Sequence, residues 1–259
     1  MLIIERQDRV LELVRQQKVA QLEDLARQLN VSASTIRRDL DALAKRGLVE
    51  RTHGGAVCRE DEVDHATVPV ALNRRMDLHR DRKLAIGAEA AKLVRPQMTL
   101  LLDGGSTVIY AAQQVEARPI QIVTNSLALG NLMVDDDDVE LVLVGGQLYP
   151  RTAVCIGPIA TGSLADLHAD LCLFSLDGIY GDEAFNINLT MAEVEQMMIR
   201  QAAQSVLLMD SSKFDRKSLV RVCGLDEVDL VITDSEIDDS WRDRLGDRLL
   251  VAEYRSSGK

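Results

Sequence analysis

The segment VSASTIRRDLDALAKRGLVERTHGGAV, from Val31 to Val57, decides the fold of the first part of the chain. Ser32 can cap a helix, because its hydroxyl can accept a backbone N–H that the first turn leaves unpaired. Apolar residues then recur at the helical period, at Ile36, Leu40, Leu43 and Ala44. Gly47 ends the helix, and Leu48–Thr52 and Ala56–Val57 give two short strands joined by a tight turn. A helix followed by such a hairpin, or wing, is typical of a winged helix-turn-helix.

The polar face of this helix carries the side chains that could reach DNA. Opposite the apolar stripe, within the first two turns, lie Ser34, Thr35 and Arg38. A recognition helix reads base edges with residues of this kind near its N-terminal end. Arg37 flanks the stripe four residues before Asp41, and an ion pair between the two could hold it. The alternative is that Arg37 and Arg38, with Lys45 and Arg46, form only a solvated face.

Two further helices are predicted ahead of this one, and they favour DNA contact over the solvated face. The first spans Glu5–Gln17 and turns Val10, Leu11 and Val14 inward. The second has apolar residues at the helical period from Leu22 to Leu29 and ends at Asn30. Three helices and a wing together make a complete reading domain, which we predict over residues 1–57.

The same segment also carries a family resemblance. TIRRDL at 35–40, followed by Leu48, Arg51 and HGGA at 53–56, resembles the signature of the DeoR family of bacterial transcriptional regulators. The resemblance covers residues from about 4 to 57 and implies double-stranded operator DNA as a partner. We expect Arg51 on the wing to contact phosphate. The full set of DNA-contact candidates is Ser32, Ser34, Thr35, Arg37, Arg38, Arg51 and His53.

Composition limits the class of protein. The chain has 259 residues, 46% hydrophobic and 27% charged, as expected of a soluble protein with one small and one medium domain. We find no apolar run of membrane-spanning length and no evident signal peptide, and we expect a cytoplasmic protein without membrane contact. The four cysteines, which should be buried thiols without metal-ligand spacing, are Cys58, Cys155, Cys172 and Cys223. No metal or cofactor is expected.

Charge is distributed unevenly along the chain. The net charge is −11, yet residues 1–60 hold 11 basic and 9 acidic residues, and the remainder holds 19 and 32. The basic charge is thus local to the end that must meet phosphates. Between the two parts, the polar residues 58–80 are predicted to be a linker with a short helix around Leu72 to Met76. Arg74-Arg75 in this linker could be a small phosphate patch or could simply be solvated.

From Lys83 onward, short apolar runs alternate with helical ones. The predicted strands are Thr99–Leu102, Ile120–Val123, Glu140–Val144, Leu171–Leu176, Ser205–Met209 and Leu230–Ile232. The predicted helices are Leu84–Val94 and residues 106–115, 126–133, 157–167, 192–203 and 239–246. This order predicts a mostly parallel sheet covered by helices over residues 81–259, and an α/β fold overall. We interpret Asp135–Asp138 as a solvated loop, because the ligand pattern of a calcium site is absent.

Polar residues fall at the carboxyl ends of five predicted strands. They are Asp103–Thr107, Thr124–Ser126, Gly145-Gly146, Asp177-Gly178 and Asp210–Lys213. Open α/β sheets bind ligands at this edge, and backbone N–H groups at a helix N-terminus favour an anion. Strand-to-helix turns are rich in glycine in any case, so one such motif indicates little. Five motifs at one edge favour a ligand site.

These residues also resemble the effector domain of the DeoR family, from about residue 83 to 233. The resemblance implies a fold similar to ribose-5-phosphate isomerase and a phosphorylated sugar, or a related metabolite, as effector. Carried over residue by residue, it places around this ligand Asp103, Gly105, Ser106, Thr107, Thr124, Asn125, Gly146, Asp177 and Lys213. Two positions depart from the family pattern. Asn188 stands where glycine is usual, and we expect it to keep a left-handed turn; Glu195 stands near where a lysine is expected.

Two functions remain from the sequence. The first is a repressor of a carbohydrate-metabolism operon, expected to be a homo-oligomer (dimer or tetramer), which releases DNA when a sugar phosphate binds. The second is a phosphosugar isomerase with an appended DNA-binding domain. Isomerisation needs a positioned base and acid, for which Asp177 and Glu193 could be proposed. Tyr180 stands where the related enzymes have a second aspartate, so we favour the regulator and expect no catalytic residues.

Overall fold

The computed structural model describes residues 3–17, 19–45, 49–52, 54–57 and 70–254. The chain splits into two compact units, Met1–Asp64 and His65–Lys259. Within the described residues, no helix combines the length and the apolar character that crossing a membrane requires. Residues 58–69 of the predicted linker lie outside the described residues, and residues 70–80 belong to the second unit.

The first unit is a three-helix bundle with a small antiparallel sheet. Its elements are α1 (Ile3–Gln17), β1 (Val19–Gln21), α2 (Leu22–Leu29), α3 (Ala33–Lys45), β2 (Glu50–Thr52) and β3 (Gly55–Val57). The strand order is β1-β3-β2. The predicted helices and wing are confirmed, and the sequence did not reveal β1, because three residues are too few to show a period of two. The predicted helix end at Gly47 lies outside the described residues.

A buried core joins the three helices. The predicted inward residues Val10, Val14, Leu25, Ile36, Leu40 and Leu43 are all fully buried. Asn30 ends α2 in the left-handed conformation, as predicted. Gly55 is required in β3, because a Cβ there would lie 2.0 Å from the Ala20 carbonyl oxygen. Arg6 Nε donates to the buried Asp39 carboxylate at 2.6 Å, which ties α1 to α3.

The second unit is built on a seven-stranded parallel sheet. Its strands, in spatial order, are β15 (Leu249–Ala252), β14 (Leu230–Asp234), β12 (Ala202–Leu208), β9 (Ala169–Phe174), β4 (Thr99–Leu102), β5 (Ile120–Thr124) and β6 (Val139–Leu143). All six predicted strands are confirmed, with ends shifted by up to three residues. The edge strand β15 was not predicted.

Helices cover both faces of this sheet. They are α4 (Leu72–Asp77), α5 (Arg80–Ala91), α6 (Ser106–Ala112), α7 (Leu127–Met133), α8 (Pro158–Leu164), α9 (Leu189–Arg200) and α10 (Asp239–Leu245). Strand β4 shows how the two layers form, because its side chains alternate between the faces. Leu100 and Leu102 pack with residues of α5, α6 and α7, whereas Leu101 packs with residues of α8, α9 and α10.

Two smaller sheets flank the main one. One is a hairpin of β7 (Gln147–Tyr149) and β8 (Val154–Ile156), and the other joins β10 (Gly178–Tyr180), β11 (Glu183–Asn186) and β13 (Val220–Gly224) in antiparallel order. The sequence predicted neither sheet, because their strands are only three to five residues long.

Candidate functional site

The start of α3 presents a cluster of hydroxyl groups. Ser32 Oγ accepts the Thr35 backbone N–H at 3.2 Å, which confirms Ser32 as the cap. The same oxygen lies 2.9 Å from Ser34 Oγ and 2.8 Å from Thr35 Oγ1. Arg37 and Arg38 follow and are exposed. Of the predicted DNA-contact residues, His53 alone lies outside the described residues.

Arg51 connects the wing to α3. Its Nε lies 3.2 Å from Asp41 Oδ1, so the ion pair that the sequence suggested for Arg37 joins Asp41 to Arg51. The Arg51 side chain is only 29% exposed. Its Nη1 is buried without a hydrogen-bond partner among the described residues.

Several segments of the second unit meet around a small cavity at the carboxyl edge of the sheet. The cavity is lined by Arg75 of α4, Asp103–Gly105 after β4, Val154 of β8, Ser175–Asp177 after β9, Asn186 of β11, and Met191 and Glu195 of α9. Strands β4 and β9 are neighbours, so the loops that follow them converge. The cavity volume is about 10 Å³, room for about one water molecule.

The structure separates the predicted effector residues into three groups. Asp103, Gly105 and Asp177 line the cavity. Ser106, Thr107, Thr124 and Asn125 are buried but do not line the cavity. Thr124 Oγ1 donates to the Leu102 carbonyl at 2.7 Å, and Asn125 Nδ2 donates to the Cys155 carbonyl at 2.9 Å.

Gly146 and Lys213 lie beyond the cavity lining. Gly146 is exposed with φ of 151°, and a Cβ there would lie 2.8 Å from the Ile156 carbonyl oxygen, so it permits the β7–β8 hairpin. Lys213 reaches the site through Asp177. Its Nζ lies 3.7 Å from Asp177 Oδ1 and donates to the Leu176 carbonyl at 3.1 Å.

Electrostatic interactions set the charge states of this ion pair. Burial opposes ionisation of Asp177, but Lys213, Arg75 and the backbone N–H of Ile187 together hold its pKa below the usual value. Burial lowers the pKa of Lys213, and the charge of Asp177 opposes that change. Both members of the pair therefore stay charged, because their mutual attraction offsets the cost of partial burial.

Two further carboxyl groups are buried around the cavity. Asp103 accepts the Gly105 N–H at 3.0 Å, and burial raises the pKa of Asp103 above its usual value. Burial, followed by the charges of Asp103 and Asp177, raises the pKa of Glu195 well above its usual value. Asn186 Nδ2 donates to Glu195 Oε1 at 2.6 Å. Among the described residues, no cluster of histidine, cysteine and carboxylate side chains is arranged to hold a metal ion.

Sequence reasoning missed several residues of this site. Arg75 was noted only as part of a basic pair, and the lining residues Ser175 and Asn186 carried no signal of their own. Asn188 corrects an expectation, because it is extended rather than left-handed, with φ of −125°. Its Oδ1 accepts the Met191 N–H at 3.0 Å, so the asparagine caps α9 and needs no glycine-like turn.

Comparisons with known proteins agree with this architecture. The family described as the DeoR C terminal sensor domain matches residues 78–235, and the DeoR-like helix-turn-helix domain matches residues 6–62. The chain belongs to the DeoR family. It is a helix-turn-helix transcriptional regulator, as the resemblance at α3 and the wing predicted.

Relatives match over nearly their whole length. The L-fucose operon activator of Haemophilus influenzae is 31% identical over 238 residues, which cover 91% of this chain and 93% of the relative. The HTH-type transcriptional regulator GolR of Listeria innocua is 29% identical over 235 residues, covering 90% and 91%. Ribose 5-phosphate isomerase A of Methanocaldococcus jannaschii matches with a TM-score of 0.38 and 21% identity over 52% of this chain and 54% of the isomerase.

Proposed function

We propose that this DeoR-family regulator represses a carbohydrate-metabolism operon and releases its operator when a phosphorylated sugar binds at the carboxyl edge of the parallel sheet. One observation carries the proposal. Asp103 and Asp177 from neighbouring strands meet Arg75 at a single cavity, with Lys213 paired to Asp177. This combination offers cations for a phosphate and carboxylates that accept hydrogen bonds from sugar hydroxyls.

The two cations, Arg75 and Lys213, lie in a part of the chain whose net charge is negative. Residues 61–259 carry 19 basic and 32 acidic residues, so an anionic ligand needs local positive charge to bind there. A charge-assisted hydrogen bond to phosphate contributes about 1.5–3 kcal/mol. Arg75 and Lys213 can each supply one, since a guanidinium has five N–H donors and an ammonium has three.

The size of the cavity implies movement on binding. At about 10 Å³ it is far smaller than the roughly 300 Å³ or more of typical small-molecule sites. A sugar phosphate can enter only if the surrounding elements separate, and α4, which carries Arg75, and α9, which carries Glu195, are the helices that line the cavity. Binding of the sugar phosphate then favours a conformation different from this one. The effector changes the affinity for DNA only to the extent that it binds the two conformations differently.

In the proposed arrangement, residues 1–57 read the operator, and the predicted linker shortens to residues 58–69. Residues 70–259, which include Arg75 of α4, bind the effector and form a homo-oligomer. Arg38 is exposed near the start of α3, as a base contact requires. For oligomerisation, strand β6 is an edge of the main sheet and exposes Val142 and Leu143, at 39% and 45%. An open strand edge with apolar side chains suits pairing with a second copy.

The isomerase alternative finds less support in the geometry. The acid–base pair suggested for it was Asp177 and Glu193, yet Glu193 is exposed and does not line the cavity. Tyr180 is also exposed. We therefore infer that the chain has no isomerase activity. Incubation with pentose and hexose phosphates should give no aldose–ketose conversion.

The proposed function is tested by coupling two measurements on the full chain. Operator fragments are first selected from random DNA, and their release is then titrated with a panel of pentose and hexose phosphates. Thermal unfolding is followed with the same panel, because a saturating ligand raises apparent stability by mass action. We expect at least one sugar phosphate to release DNA and raise the melting temperature, while its dephosphorylated sugar does neither. Tighter DNA binding with the sugar phosphate would contradict release on effector binding, and no response to the panel would refute the effector assignment.

A further inference from the structure

Glu195 has an unsatisfied carboxyl oxygen in the cavity wall. The residue is 2% exposed and lines the cavity. Its Oε1 accepts the Asn186 amide, whereas its Oε2 is buried without a hydrogen-bond partner among the described residues. A buried carboxyl oxygen left unpaired destabilises the fold, so a ligand that brings it a hydrogen-bond partner is favoured at this place.

The surroundings of Glu195 are strongly acidic. Asp103 and Asp177 line the same cavity from the strand ends, whereas the thiols of Cys172 and Cys223 are uncharged because burial raises the pKa of each. Arg75 on α4 is the cation that faces the group, and Lys213 is held by Asp177. If Glu195 ionises, the three carboxylates exceed these two cations by one charge. A proton on Glu195 is the simplest way to balance the site.

A ligand group that replaces that proton must bring a hydrogen-bond donor to Glu195 Oε2, which lies in the cavity wall without one from the described residues. A sugar hydroxyl could supply the donor without any charge. A primary ammonium supplies the donor and the missing positive charge together, and charge-assisted hydrogen bonds are the stronger kind. Arg75, which is half-buried, then remains for the phosphate.

We propose that Glu195 determines effector specificity by binding an ammonium group, so that the preferred effector is an amino-sugar phosphate. This inference rests on the proposed function, since it names the class of sugar phosphate that the same site takes. The ammonium forms a salt bridge with Glu195, and the carboxyl proton leaves to solvent, one proton for each ligand bound.

Calorimetry on the full chain tests the proposal. The probes are glucosamine 6-phosphate and galactosamine 6-phosphate, compared with glucose 6-phosphate and galactose 6-phosphate. We expect at least one amino sugar to bind about tenfold or more tighter than its hydroxyl counterpart. Glu195→Gln, which keeps the shape but cannot ionise, should remove that preference. Glu193→Gln, two residues away and exposed, is the matched control and should behave like the parent.

Proton release gives an independent readout. At about pH 6 the phosphate group of either kind of sugar is itself partly protonated and can release protons on binding. Titrations in two buffers of different ionisation enthalpy should therefore show more protons leaving the parent with the amino-sugar phosphate than with its hydroxyl counterpart, and no such excess with Glu195→Gln. If the sugar phosphates without an amino group bind the parent as tightly as the amino-sugar phosphates, the inference is overturned and the proposed function stays intact. If no sugar phosphate of either kind binds, both are overturned.

Discussion

Lys213 Nζ lies 3.7 Å from Asp177 Oδ1 and donates a hydrogen bond to the Leu176 carbonyl at 3.1 Å. The two contacts join the loop after β12 to the end of β9, its neighbour in the sheet. Because an ammonium has three donors, one N–H remains for a phosphate oxygen while the pair is kept. Lys213 is thus held at the site and still has a hydrogen-bond donor available for a ligand.

Lys213→Ala is expected to retain operator binding and to need roughly tenfold to a hundredfold more sugar phosphate for release, since one charge-assisted hydrogen bond is lost. Release is measured by the anisotropy of labelled operator during effector titration. Lys217→Ala is the control, because Lys217 is exposed and packs near the rings of Tyr180 and Phe185 instead. Equal effector affinity in parent and Lys213→Ala would remove Lys213 from the site.

Arg75→Ala is expected to weaken binding of a sugar phosphate by about tenfold or more, because the variant loses the guanidinium that lines the cavity. The preceding residue provides the control, since Arg74 does not line the cavity and Arg74→Ala should bind like the parent. Calorimetry distinguishes the two. A loss that is equal in both variants would indicate general charge attraction rather than a specific contact.

Two arginines of the first unit should differ in their effect on DNA. Arg38→Ala is expected to weaken operator binding by about 1–3 kcal/mol and to relax sequence preference, because a base contact is lost. Arg51→Ala should weaken all sequences alike, since we expect a phosphate contact from the wing. Competition with non-operator DNA measures both. Arg38→Ala with unchanged operator affinity would show that α3 does not lie in the groove as proposed.

Lys83 gives a prediction about pH. It is 4% exposed and donates to the Arg75 carbonyl, and burial lowers the pKa of Lys83 to about 7. Between about pH 7 and about pH 10 the unfolded chain therefore binds more protons than the folded chain, so this group makes the unfolding free energy rise with pH. Lys83→Met should flatten that rise, by an amount on the order of a few kcal/mol.

Denaturant unfolding of the parent and Lys83→Met across this pH range measures the difference. Lys92→Met is the control, because Lys92 has a side chain 67% exposed and pairs with Glu89 on the same face of α5. Parallel pH curves for the parent and Lys83→Met would contradict the buried, weakly basic state of Lys83.

Leu143→Glu on the edge strand β6 is expected to dissociate the proposed homo-oligomer, because a charge at an apolar strand edge opposes pairing with a second copy. Sedimentation at micromolar concentration measures the state. Leu219→Glu changes a side chain that is 72% exposed outside the main sheet and should leave the assembly unchanged. A parent protein that sediments as a monomer and binds operator fully would contradict the oligomer itself.

The fold was predictable wherever burial leaves a pattern. The strands of the main sheet are covered on both faces, so each appears as a continuous apolar run, and α3 appears by its stripe and its Ser32 cap. Strands β10, β11 and β13 pair antiparallel outside that sheet, and their pairing depends on tertiary contacts. A segment as short as GIY has no pattern of its own.

The site was predictable in part, for the same reason. Asp103 and Asp177 follow buried strands, so their convergence follows from the sheet. Arg75 lies on α4, a six-residue helix that precedes β4 in the chain. The sequence alone cannot distinguish a basic pair at a binding site from a solvated one, because the place of Arg75 at the sheet edge depends on how α4 packs. Glu195 is visible in the sequence as a departure from the family pattern. The lack of a hydrogen-bond partner for its Oε2 among the described residues depends on three-dimensional packing, which the sequence does not show.

Amide hydrogen exchange on the intact chain, with and without a saturating sugar phosphate, is the most direct test that the effector binds at the sheet edge. The account predicts slower exchange at residues 103–107 and 175–177, which follow the neighbouring strands β4 and β9, and no such change with the dephosphorylated sugar. Protection that leaves these two segments unchanged and falls elsewhere in the chain would contradict it.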